Sequence, residues 1–344
     1  MKEGIDLRSD TVTEPTQAMW EAMNNAVIGD DVFGEDKTVM SLESLAADIL
    51  GKEAGLFVAS GTMGNLLAVL CQTKPGDEAM VEKLAHIYYF ERGMASIAGV
   101  TPVLLESDNG VVRPDHIRAQ FRGASGHESK IALLCLENTH NLHGGTVSTV
   151  KEMEANYAFA KQNGMKIHVD GARLFNAAVA LNVPAADLVR GADTVMVCLA
   201  KSLCAPVGSV LVGSVDLIKK ARQWRSILGG GMRQAGIIAA AGVVALETMV
   251  ERLAEDHANA KYLGQELSKI PGVTVNRELI HTNLVYGMLD PKLATPAEFE
   301  AKLQQYNVYC FAASQTEVRF ATHKDVTHNQ ITEALGIMKK LFIH

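Results

Sequence analysis

Apolar residues follow two patterns along residues 17–246: short unbroken runs bounded by glycine or polar residues, and longer stretches with helical periodicity. Unbroken runs are typical of strands buried on both faces of a parallel sheet, and the helical stretches between them supply the crossover connections. The pattern predicts an α/β fold with a large, mostly parallel sheet covered by helices. The strands predicted in this part of the chain are residues 54–59, 131–136, 166–170 and 195–200.

The last third of the chain has a different order of elements. A long helical pattern, residues 236–269, ends before Pro271 and Gly272. Two later helices begin with capping boxes at Thr295 and Thr327. Short strands are predicted at residues 273–275, 282–288, 308–311 and 318–322. We therefore predict an N-terminal arm (1–16), a large domain (17–246) and a smaller α+β C-terminal domain (247–344).

Composition narrows the possible partners. With 344 residues, the chain is longer than one hydrophobic core usually supports, which agrees with two domains. Hydrophobic residues make up 48% and charged residues 21%, the balance of a soluble globular protein. The formal net charge of -7 argues against nucleic acid as a partner. The longest aliphatic and glycine run, residues 235–246, is shorter than the roughly 20 residues of a bilayer span, so we expect no membrane insertion.

The N-terminus and the cysteines bear on location and metal binding. The charged N-terminus lacks the apolar region of a signal peptide, and we expect a cytoplasmic protein. Five cysteines include no Cys-x-x-Cys pair, and their odd number does not suit a closed set of disulfides. No histidine pair lies at zinc-ligand spacing with them, and there is no His-Glu-x-x-His motif. The sequence therefore predicts reduced core cysteines and no metal site.

Two of the predicted strands end in opposite charges. Asp170 ends the run that begins at Lys166, and Lys201 follows the next apolar run. Their separation of 31 residues (201 − 170) is enough for one helix and a return strand, which is one crossover of a parallel sheet. A carboxylate and an ammonium at the ends of neighbouring buried strands cost several kcal/mol to desolvate unless something pairs with them. Pyridoxal 5'-phosphate (PLP) suits this pair, because its aldehyde condenses with a lysine amine and its ring nitrogen needs a carboxylate to stay protonated.

Asp170 and Lys201 also have a simpler, purely structural interpretation. Asp170 could cap the following helix, and Lys201 could lie on a surface loop. For either residue alone this interpretation is the better one. It weakens because both residues end apolar runs, and weakens further because Arg173 follows the aspartate by three positions.

The motifs around these residues resemble those of the threonine aldolases, which are PLP enzymes of the aspartate-aminotransferase fold (fold type I). The resemblance rests on Asp-Gly-Ala-Arg at residues 170–173 and on Lys-Ser-Leu-Cys-Ala-Pro-Val-Gly-Ser at residues 201–209. It implies that Lys201 holds PLP and that Asp170 stabilises the pyridinium. It also implies retro-aldol cleavage of L-threonine, L-allo-threonine and related β-hydroxy-α-amino acids to glycine and an aldehyde.

A second candidate site follows the predicted strand at residues 54–59. Ser60, Gly61 and Thr62 form a turn that opens an apolar helix. The unpaired N–H groups and the dipole of a helix N-terminus make such a turn an anion site. We assign these three residues to the PLP phosphate. An ordinary Ser/Thr helix cap would be the preferred interpretation of this tripeptide alone.

The resemblance also assigns roles to two histidines. His86 precedes three aromatic residues, at positions 88–90, and matches the family histidine that stacks on the PLP ring. His140, in the Glu-Asn-Thr-His-Asn motif at residues 137–141, is our candidate for helping to deprotonate the β-hydroxyl, since a neutral imidazole suits that task near pH 7. The base is therefore His86, His140 or a water that they orient. His143 has no such role in the resemblance.

Carboxylate and inter-subunit contacts come from further motif matches. The resemblance implies that Ser9, Arg173 and Arg319 bind the substrate carboxylate, with Arg173 also near the cofactor. Alternation in residues 317–322 places Arg319 opposite Val318 and Phe320. Arg233, after three glycines, is implied to reach the phosphate of a neighbouring subunit. We therefore expect a homo-oligomer with its sites at a dimer interface, and a homotetramer as the assembly.

Two departures and two alternatives stay open. Many relatives have serine before the lysine, where this chain has Ala200, and Ser202 could replace that serine at the phosphate. Some relatives have lysine before the glycine-rich segment, where this chain has Ser226. Another PLP reaction at Cα, such as racemisation, transamination or β-elimination, is the second hypothesis. A non-catalytic PLP-binding protein is the third.

Overall fold

The structure, a computed structural model, describes residues 4–122 and 129–342. Its strands, in chain order, are β1 (Ile5–Asp6), β2 (Ala54–Val58), β3 (Glu78–Glu82), β4 (Thr101–Leu105), β5 (Ile131–Glu137), β6 (Lys166–Gly171), β7 (Thr194–Cys198), β8 (Ser209–Gly213), β9 (Val273–Thr274), β10 (Leu284–Leu289), β11 (Val308–Tyr309), β12 (Phe311–Ala312) and β13 (Glu317–Ala321).

The helices alternate with these strands in the first part of the chain. In chain order they are α1 (Gln17–Asn24), α2 (Lys37–Ile49), α3 (Gly61–Gln72), α4 (Gly93–Ser96), α5 (Pro114–Gln120), α6 (Val150–Gln162), α7 (Leu174–Leu181), α8 (Ala185–Val189), α9 (Val215–Ile227), α10 (Gly236–Thr248), α11 (Leu253–Leu267), α12 (Pro296–Gln304) and α13 (His328–Phe342). Short 3-10 helices lie at Asp10–Val12 and Arg277–Leu279, and a π-helical turn lies at Ile87–Glu91.

The large sheet has seven strands in the order β2-β8-β7-β6-β5-β3-β4. The pairs from β7 to β4 are parallel, and β8 is antiparallel to both of its neighbours, so six strands point the same way. This confirms the predicted α/β fold with a mostly parallel sheet. The sequence pattern missed β3 and β4, whose ends carry Glu78, Glu82 and Thr101 instead of an unbroken apolar run.

The connection from β6 to β7 is the crossover that the spacing of Asp170 and Lys201 predicts. The two strands pair in parallel, with Asp170 opposite Met196. Two helices, α7 and α8, form the crossover where the sequence predicted one. The carboxyl ends of β2, β3, β5, β6 and β7 therefore meet at one edge of the sheet, where open α/β sheets bind ligands.

The helical pattern at residues 236–269 is two helices rather than one. It is interrupted at residues 249–252, between α10 and α11. The nearly all-apolar α10 packs against α1 and α2, whereas the amphipathic α11 packs against β10 and α13. The two segments thus serve different cores, which is why the chain changes direction between them.

The last third of the chain forms a separate four-stranded antiparallel sheet in the order β12-β13-β10-β9. The strand predicted at residues 308–311 is divided, because β11 pairs with β1 and β12 pairs with β13, with buried Cys310 between them. The predicted arm thus supplies β1, which pairs in parallel with β11, and Leu7 lies in the hydrophobic core of this C-terminal part. Along α11, the last residue of the large core is Leu253 and the first residue of this second core is Ala260.

Two further expectations concern the whole chain. All five cysteines are free thiols, and four of them are buried. Burial raises the pKa of the Cys71 and Cys204 thiols to about 11, so both stay protonated and unreactive at neutral pH. Among the described helices, none has the length and apolar character needed to cross a bilayer.

Candidate active site

The predicted site residues of the large domain lie at the carboxyl edge of the large sheet. Asp170 ends β6, Lys201 follows β7, and Ser60 follows β2 at the start of α3. Parallel strands bring their carboxyl ends together, so residues far apart in sequence meet here. The backbone oxygen of Lys201 accepts hydrogen bonds from the amide of Cys204 at 2.8 Å and the hydroxyl of Thr13 at 2.9 Å, which fix the turn that carries the lysine.

Asp170 is buried and held by a chain of polar side chains. Its Oδ2 accepts a hydrogen bond from Asn65 Nδ2 at 2.9 Å, and its Oδ1 accepts one from the Ala172 amide at 3.1 Å. Asn65 Oδ1 in turn lies 3.0 Å from His168 Nε2, whose Nδ1 lies 2.9 Å from the Thr194 hydroxyl. Burial lowers the pKa of His168 to about 4, so the ring is neutral and its tautomer fits this chain.

His86 is connected to the same group. Its Nδ1 lies 2.8 Å from Glu91 Oε1, and that oxygen also accepts a hydrogen bond from Asn65 Nδ2 at 2.9 Å. Burial disfavours the charged form of His86, but the hydrogen bond to Glu91 and the negative charge of Asp170 outweigh it and raise the pKa of the imidazole. Glu137 Oε2 accepts a hydrogen bond from the His86 amide at 2.6 Å, which anchors this segment to the end of β5.

The turn at residues 60–62 is the N-terminus of α3. Ser60 Oγ caps the helix by accepting a hydrogen bond from the Met63 amide at 3.2 Å, as the simpler interpretation of the tripeptide expects. A Cβ on Gly61 would lie 2.9 Å from Cys198 Sγ and 3.0 Å from Met196 Cε, so only glycine lets the helix end approach β7 this closely. Ser60 and Thr62 are exposed at this end of the helix.

Arg173 is buried in an ion pair that the sequence analysis missed. Its Nε and Nη2 donate to the two carboxylate oxygens of Asp10 at 2.8 and 2.7 Å, and its Nη1 donates to Asn141 Oδ1 at 3.2 Å. Burial would raise the pKa of Asp10, but the Arg173 guanidinium holds it well below its usual range. Asp10 also accepts hydrogen bonds from the Ser202 hydroxyl at 2.8 Å and from Asn283 at 3.1 Å.

The contact with Asp10 corrects the idea that Ser202 replaces the serine missing at position 200. Ser202 is 2% exposed and its hydroxyl donates to a carboxylate, so it is already committed inside the protein. An oxygen that donates to Asp10 and accepts from Asn283 is not available to a phosphate. The reason is that the chain turns directly after Lys201 and directs the next side chain toward Asp10.

Ser9 and Arg319 lie together at the N-terminal arm. Arg319 Nη2 donates to the Arg8 backbone oxygen at 3.0 Å, next to Ser9, and the guanidinium lies 4.8 Å from the centroid of the Phe311 ring. Among the described residues, Arg319 Nε is a buried donor without a hydrogen-bond partner. The partly exposed Arg319 alternates with buried Val318 and Phe320, which confirms the predicted alternation.

Arg319 is connected to Arg173 through Tyr286. Arg319 is the register partner of Tyr286 across β10 and β13, so their side chains lie on one face of the sheet. The Tyr286 hydroxyl donates to the Asn141 backbone oxygen at 3.2 Å, and the Asn141 side chain accepts from Arg173. Two of the three residues predicted to bind a carboxylate are therefore joined by a short chain of contacts across the two domains.

Arg233 stands apart from the other predicted site residues within the chain. Its side chain is 61% exposed and pairs with Asp30 at 3.0 Å. Asp30 also accepts hydrogen bonds from the amides of Val32 and Phe33, which order the acidic loop beside the glycine-rich segment. Within one subunit, the guanidinium contacts this loop and not the Asp170 group.

Comparisons with known proteins place the chain in a family. Residues 6–289 match the model of a family described as Beta-eliminating lyase. Low-specificity L-threonine aldolase 1 of Arabidopsis thaliana is 41% identical over 98% of this chain and 96% of its own length. Low specificity L-threonine aldolase of Escherichia coli (strain K12) is 40% identical over 96% of each chain. The chain belongs to the L-threonine aldolases of this lyase family.

Solved structures agree on the fold of this aldolase-family chain. Leishmania major threonine aldolase superposes with a TM-score of 0.83 at 20% identity, covering 98% of this chain and 99% of that one. A structure of SPT with PLP superposes with a TM-score of 0.76 at 20% identity, covering 99% of this chain and 87% of that one. The fold is therefore that of the PLP-dependent enzymes of fold type I, as expected from the sequence.

His140, one of the two histidines predicted to act as the base, is almost fully enclosed by protein. The residue is 1% exposed, and its Nε2 lies 2.9 Å from Glu82 Oε2. Within the described part of the chain, its Nδ1 is buried and has no hydrogen-bond partner. Burial disfavours the charged ring, but the charges of Glu137 and Glu82 outweigh it and raise the pKa of His140. His86, by contrast, keeps about a third of its side chain exposed (34%).

The sequence did not point to four further residues of this site. Glu137 lies inside the Glu-Asn-Thr-His-Asn motif and Asp10 directly follows Ser9, so these matches were the available signal. Glu91 follows His86 by five positions, a spacing that a π-helical turn brings to hydrogen-bonding distance and an ordinary helix would not. Asn65 lies inside a helix and carries no sequence signal, because only the packing of α3 on the sheet directs it at Asp170.

Proposed function

We propose that this protein is a PLP-dependent L-threonine aldolase that cleaves L-threonine, L-allo-threonine and related β-hydroxy-α-amino acids to glycine and an aldehyde. The observation that carries the proposal is the meeting of Lys201, buried Asp170 and the N-terminus of α3 at one edge of the sheet. An amine, a fixed carboxylate and an anion site at one place match the three chemical groups of PLP. The aldolase names of the relatives supply the reaction.

The residues present fit this cofactor. Lys201 supplies the amine for the aldehyde, Asp170 the carboxylate for the ring nitrogen, and the α3 N-terminus the donors for the phosphate. Gly61 keeps the space at that N-terminus free of a side chain, because a Cβ there would crowd Cys198 and Met196. When bound, PLP supplies an electron sink for the carbanion that forms at Cα of the substrate.

The arginines and Ser9 would orient the substrate carboxylate. Arg319 has the stronger claim, because its Nε is a buried donor without a partner in the described residues. Arg173 already donates from Nε and Nη2 to Asp10, so these two nitrogens are not free to bind a substrate carboxylate. It contributes positive charge and its Nη1, which also contacts Asn141. A carboxylate held this way fixes the substrate in one orientation, which is how binding energy is converted into rate.

His86 is the side chain best placed to accept the proton of the β-hydroxyl. In the neutral ring, Nδ1 donates to Glu91, which leaves Nε2 as the acceptor. Glu91 then stabilises the imidazolium after the proton arrives. His140 would act on the hydroxyl only through a water or a movement of its enclosed ring.

A second reaction has a specific observation in its favour. The matching family model is described as Beta-eliminating lyase, and β-elimination begins at the same Cα. The two reactions give different products, since aldol cleavage releases glycine and an aldehyde whereas β-elimination and hydrolysis give a keto acid and ammonia. Product identity therefore separates them.

The assembly that we propose is a homotetramer in the cytoplasm, with its sites at a dimer interface. Large apolar side chains are exposed on the elements next to the glycine-rich segment that carries Arg233, namely the loop before α2, the end of α9, the start of α10 and α1, which packs on α10. Exposed apolar patches of this kind mark protein contacts. The exposed members of this patch are Trp20, Val27, Phe33, Ile227 and Ile237.

The deciding experiment measures aldehyde release from L-threonine, L-allo-threonine and both D-isomers, with PLP added. The expected result is release from the L-isomers alone, with loss of release in Lys201→Ala. A keto acid and ammonia in place of the aldehyde would move the assignment to β-elimination. A PLP-loaded protein that turns over none of the isomers would reject both reactions.

A further inference from the structure

Glu82, His140 and His143 form a compact cluster beside the site. His140 Nε2 lies 2.9 Å from Glu82 Oε2, and His143 Nε2 lies 3.3 Å from Glu82 Oε1. One ligand-type atom from each residue lies within 4.8 Å of the other two. Glu82 ends β3 and the histidines belong to the turn after β5, so the neighbouring strands β3 and β5 bring the three together.

We propose that these three residues bind a divalent transition-metal ion, with Zn²⁺ as the best fit. Two imidazoles and one carboxylate are a common three-residue ligand set for zinc, and a water completes the tetrahedron. Ligand atoms at about 2.0–2.2 Å from Zn²⁺ lie about 3.3–3.6 Å from each other in that geometry. In the cluster, one atom from each residue lies within 4.8 Å of the other two, and each imidazole already contacts one oxygen of the Glu82 carboxylate, so small side-chain shifts would bring the three to this spacing.

The carboxylate of the cluster is held by donors outside it. Glu82 Oε2 accepts a hydrogen bond from the Leu84 amide at 2.6 Å, and Oε1 accepts one from the Ser107 hydroxyl at 3.0 Å. Such outer contacts orient metal ligands and are part of a working site. They also mean that both carboxylate oxygens keep a hydrogen bond when the imidazole nitrogens turn to a metal.

The histidines are held by the turn at Gly110. This glycine has φ +87°, and a Cβ on it would lie 2.8 Å from Cβ and Cγ of His140 and 3.0 Å from Cβ of His143. The His140 amide donates to the Thr146 backbone oxygen at 3.0 Å and the His140 backbone oxygen accepts from the Gly145 amide at 2.9 Å, which closes the turn that carries both histidines. The two rings meet edge to face, with centroids 4.6 Å apart. The rings are thus positioned before any ion arrives.

One side of the cluster is open. Glu82 and His140 are buried, whereas 22% of the His143 side chain is exposed. An ion can therefore enter past His143 and retain a water on that side. None of the groups assigned to PLP is a ligand here, and only His140, the enclosed second candidate for the base, belongs to both the cluster and the proposed reaction. Ion binding therefore goes beyond the proposed reaction and can be measured without turnover.

The test is a titration of the PLP-loaded protein, stripped of metals with a chelator and freed of unbound PLP, with Co²⁺ and then with Zn²⁺. We expect the visible absorption of four-coordinate Co²⁺ to appear with one ion per chain and to be displaced by Zn²⁺. Removing a ligand should weaken the affinity more than about 10-fold, since changes outside the ligand shell already cost 10–100-fold. His143→Asn is the main variant, because a change at this partly exposed side chain perturbs the fold less than a change at buried Glu82 or His140.

His328→Asn serves as the matched control, because His328 is exposed and lies outside the cluster. It should bind Co²⁺ as tightly as the unaltered protein. Glu82→Gln should also lose the affinity, provided that its circular dichroism matches the unaltered protein. Equal affinity in His143→Asn and the unaltered protein would overturn the proposal and assign the ion to other residues. The absence of any Co²⁺ absorption would overturn it as well.

Discussion

Asp10 supplies the buried negative charge that neutralises Arg173. It is completely buried and accepts hydrogen bonds from Arg173, Ser202 and Asn283. In Asp10→Asn, an amide would face a buried guanidinium that has lost its counter-charge. Breaking a buried ion pair from one side costs about 3–5 kcal/mol, and we expect the free energy of unfolding to fall by that amount.

Urea denaturation of the two proteins at neutral pH measures this loss. Asp30→Asn is the control, because Asp30 pairs with Arg233 at the exposed end of that side chain, where an ion pair contributes little. Equal midpoints for Asp10→Asn and Asp30→Asn would show that Arg173 finds another partner, and the role given to Asp10 would be wrong.

The negative charge of Asp170 leads to a prediction for activity. Asp170→Asn keeps the size of the side chain but removes the negative charge proposed to face the PLP ring nitrogen. We expect aldehyde release to fall about 100-fold or more, the usual effect of removing one preorganised electrostatic group. Initial rates at saturating L-threonine, with PLP content checked by absorbance, provide the measurement.

The exposed aspartate of α9 gives a matched control for this variant, since Asp216→Asn removes one negative charge far from the sheet edge. Its rate should equal that of the unaltered protein. A PLP-loaded Asp170→Asn protein with an unchanged rate would contradict the proposed role of Asp170.

At this scale the sequence was informative where chemistry is local. Asp170 and Lys201 were predicted because each ends an apolar run, which is visible from the pattern alone. The cluster of Glu82, His140 and His143 was not, because Glu82 precedes His140 by 58 residues and β3 itself was missed. The expectation of no metal site came from spacing rules that consider ligands close in sequence.

Among the elements, the return from Lys201 to β8 depends on Gly208. This residue has φ +102°, and a Cβ on it would overlap the ring of Phe57 in β2. Gly208→Ala therefore combines backbone strain with overpacking, and we expect it to destabilise the protein by about 2 kcal/mol or more. Thermal unfolding followed by circular dichroism would detect the change.

Gly336, in the middle of α13, is the paired control. It has helical backbone geometry, and a Cβ on it would meet nothing within 4 Å. Gly336→Ala should therefore stabilise the protein by about 0.5–1 kcal/mol. If both substitutions shift the melting temperature in the same direction, the conformational argument for Gly208 fails.

Element prediction succeeded where pattern and environment agree. The buried strands β5 and β7 are largely apolar runs and β6 is a short strand-like run that includes His168, while the capping boxes at Thr295 and Thr327 mark the starts of α12 and α13. It failed for the division of residues 236–269, which contains no glycine or proline at the break. α10 ends because the chain passes from one hydrophobic core to the other at α11. Such a change of packing partner leaves no local signal in the sequence.

On the scale of the whole molecule, the exposed apolar patch around the glycine-rich segment is the surface that the proposed assembly would bury. The loop before α2 and the glycine-rich segment are held together, because Arg233 pairs with Asp30 and Asp36 accepts a hydrogen bond from the Gly236 amide at 2.8 Å. The patch is therefore a formed surface rather than a set of loose side chains. Its most exposed members, Phe33 and Ile227, are 74% and 70% exposed.

A charge placed in this patch should break the assembly. We expect the unaltered protein to elute as a multiple of its 37.0 kDa chain mass, and Phe33→Asp and Ile227→Asp to shift toward smaller species in size-exclusion chromatography with light scattering. Tyr306→Asp, at an exposed position of the small domain, should leave the mass unchanged. Because Arg233 is expected to act across subunits, dissociation should also lower aldehyde release. An unaltered protein that elutes at 37.0 kDa would reject both the assembly and the role of Arg233 in a neighbouring site.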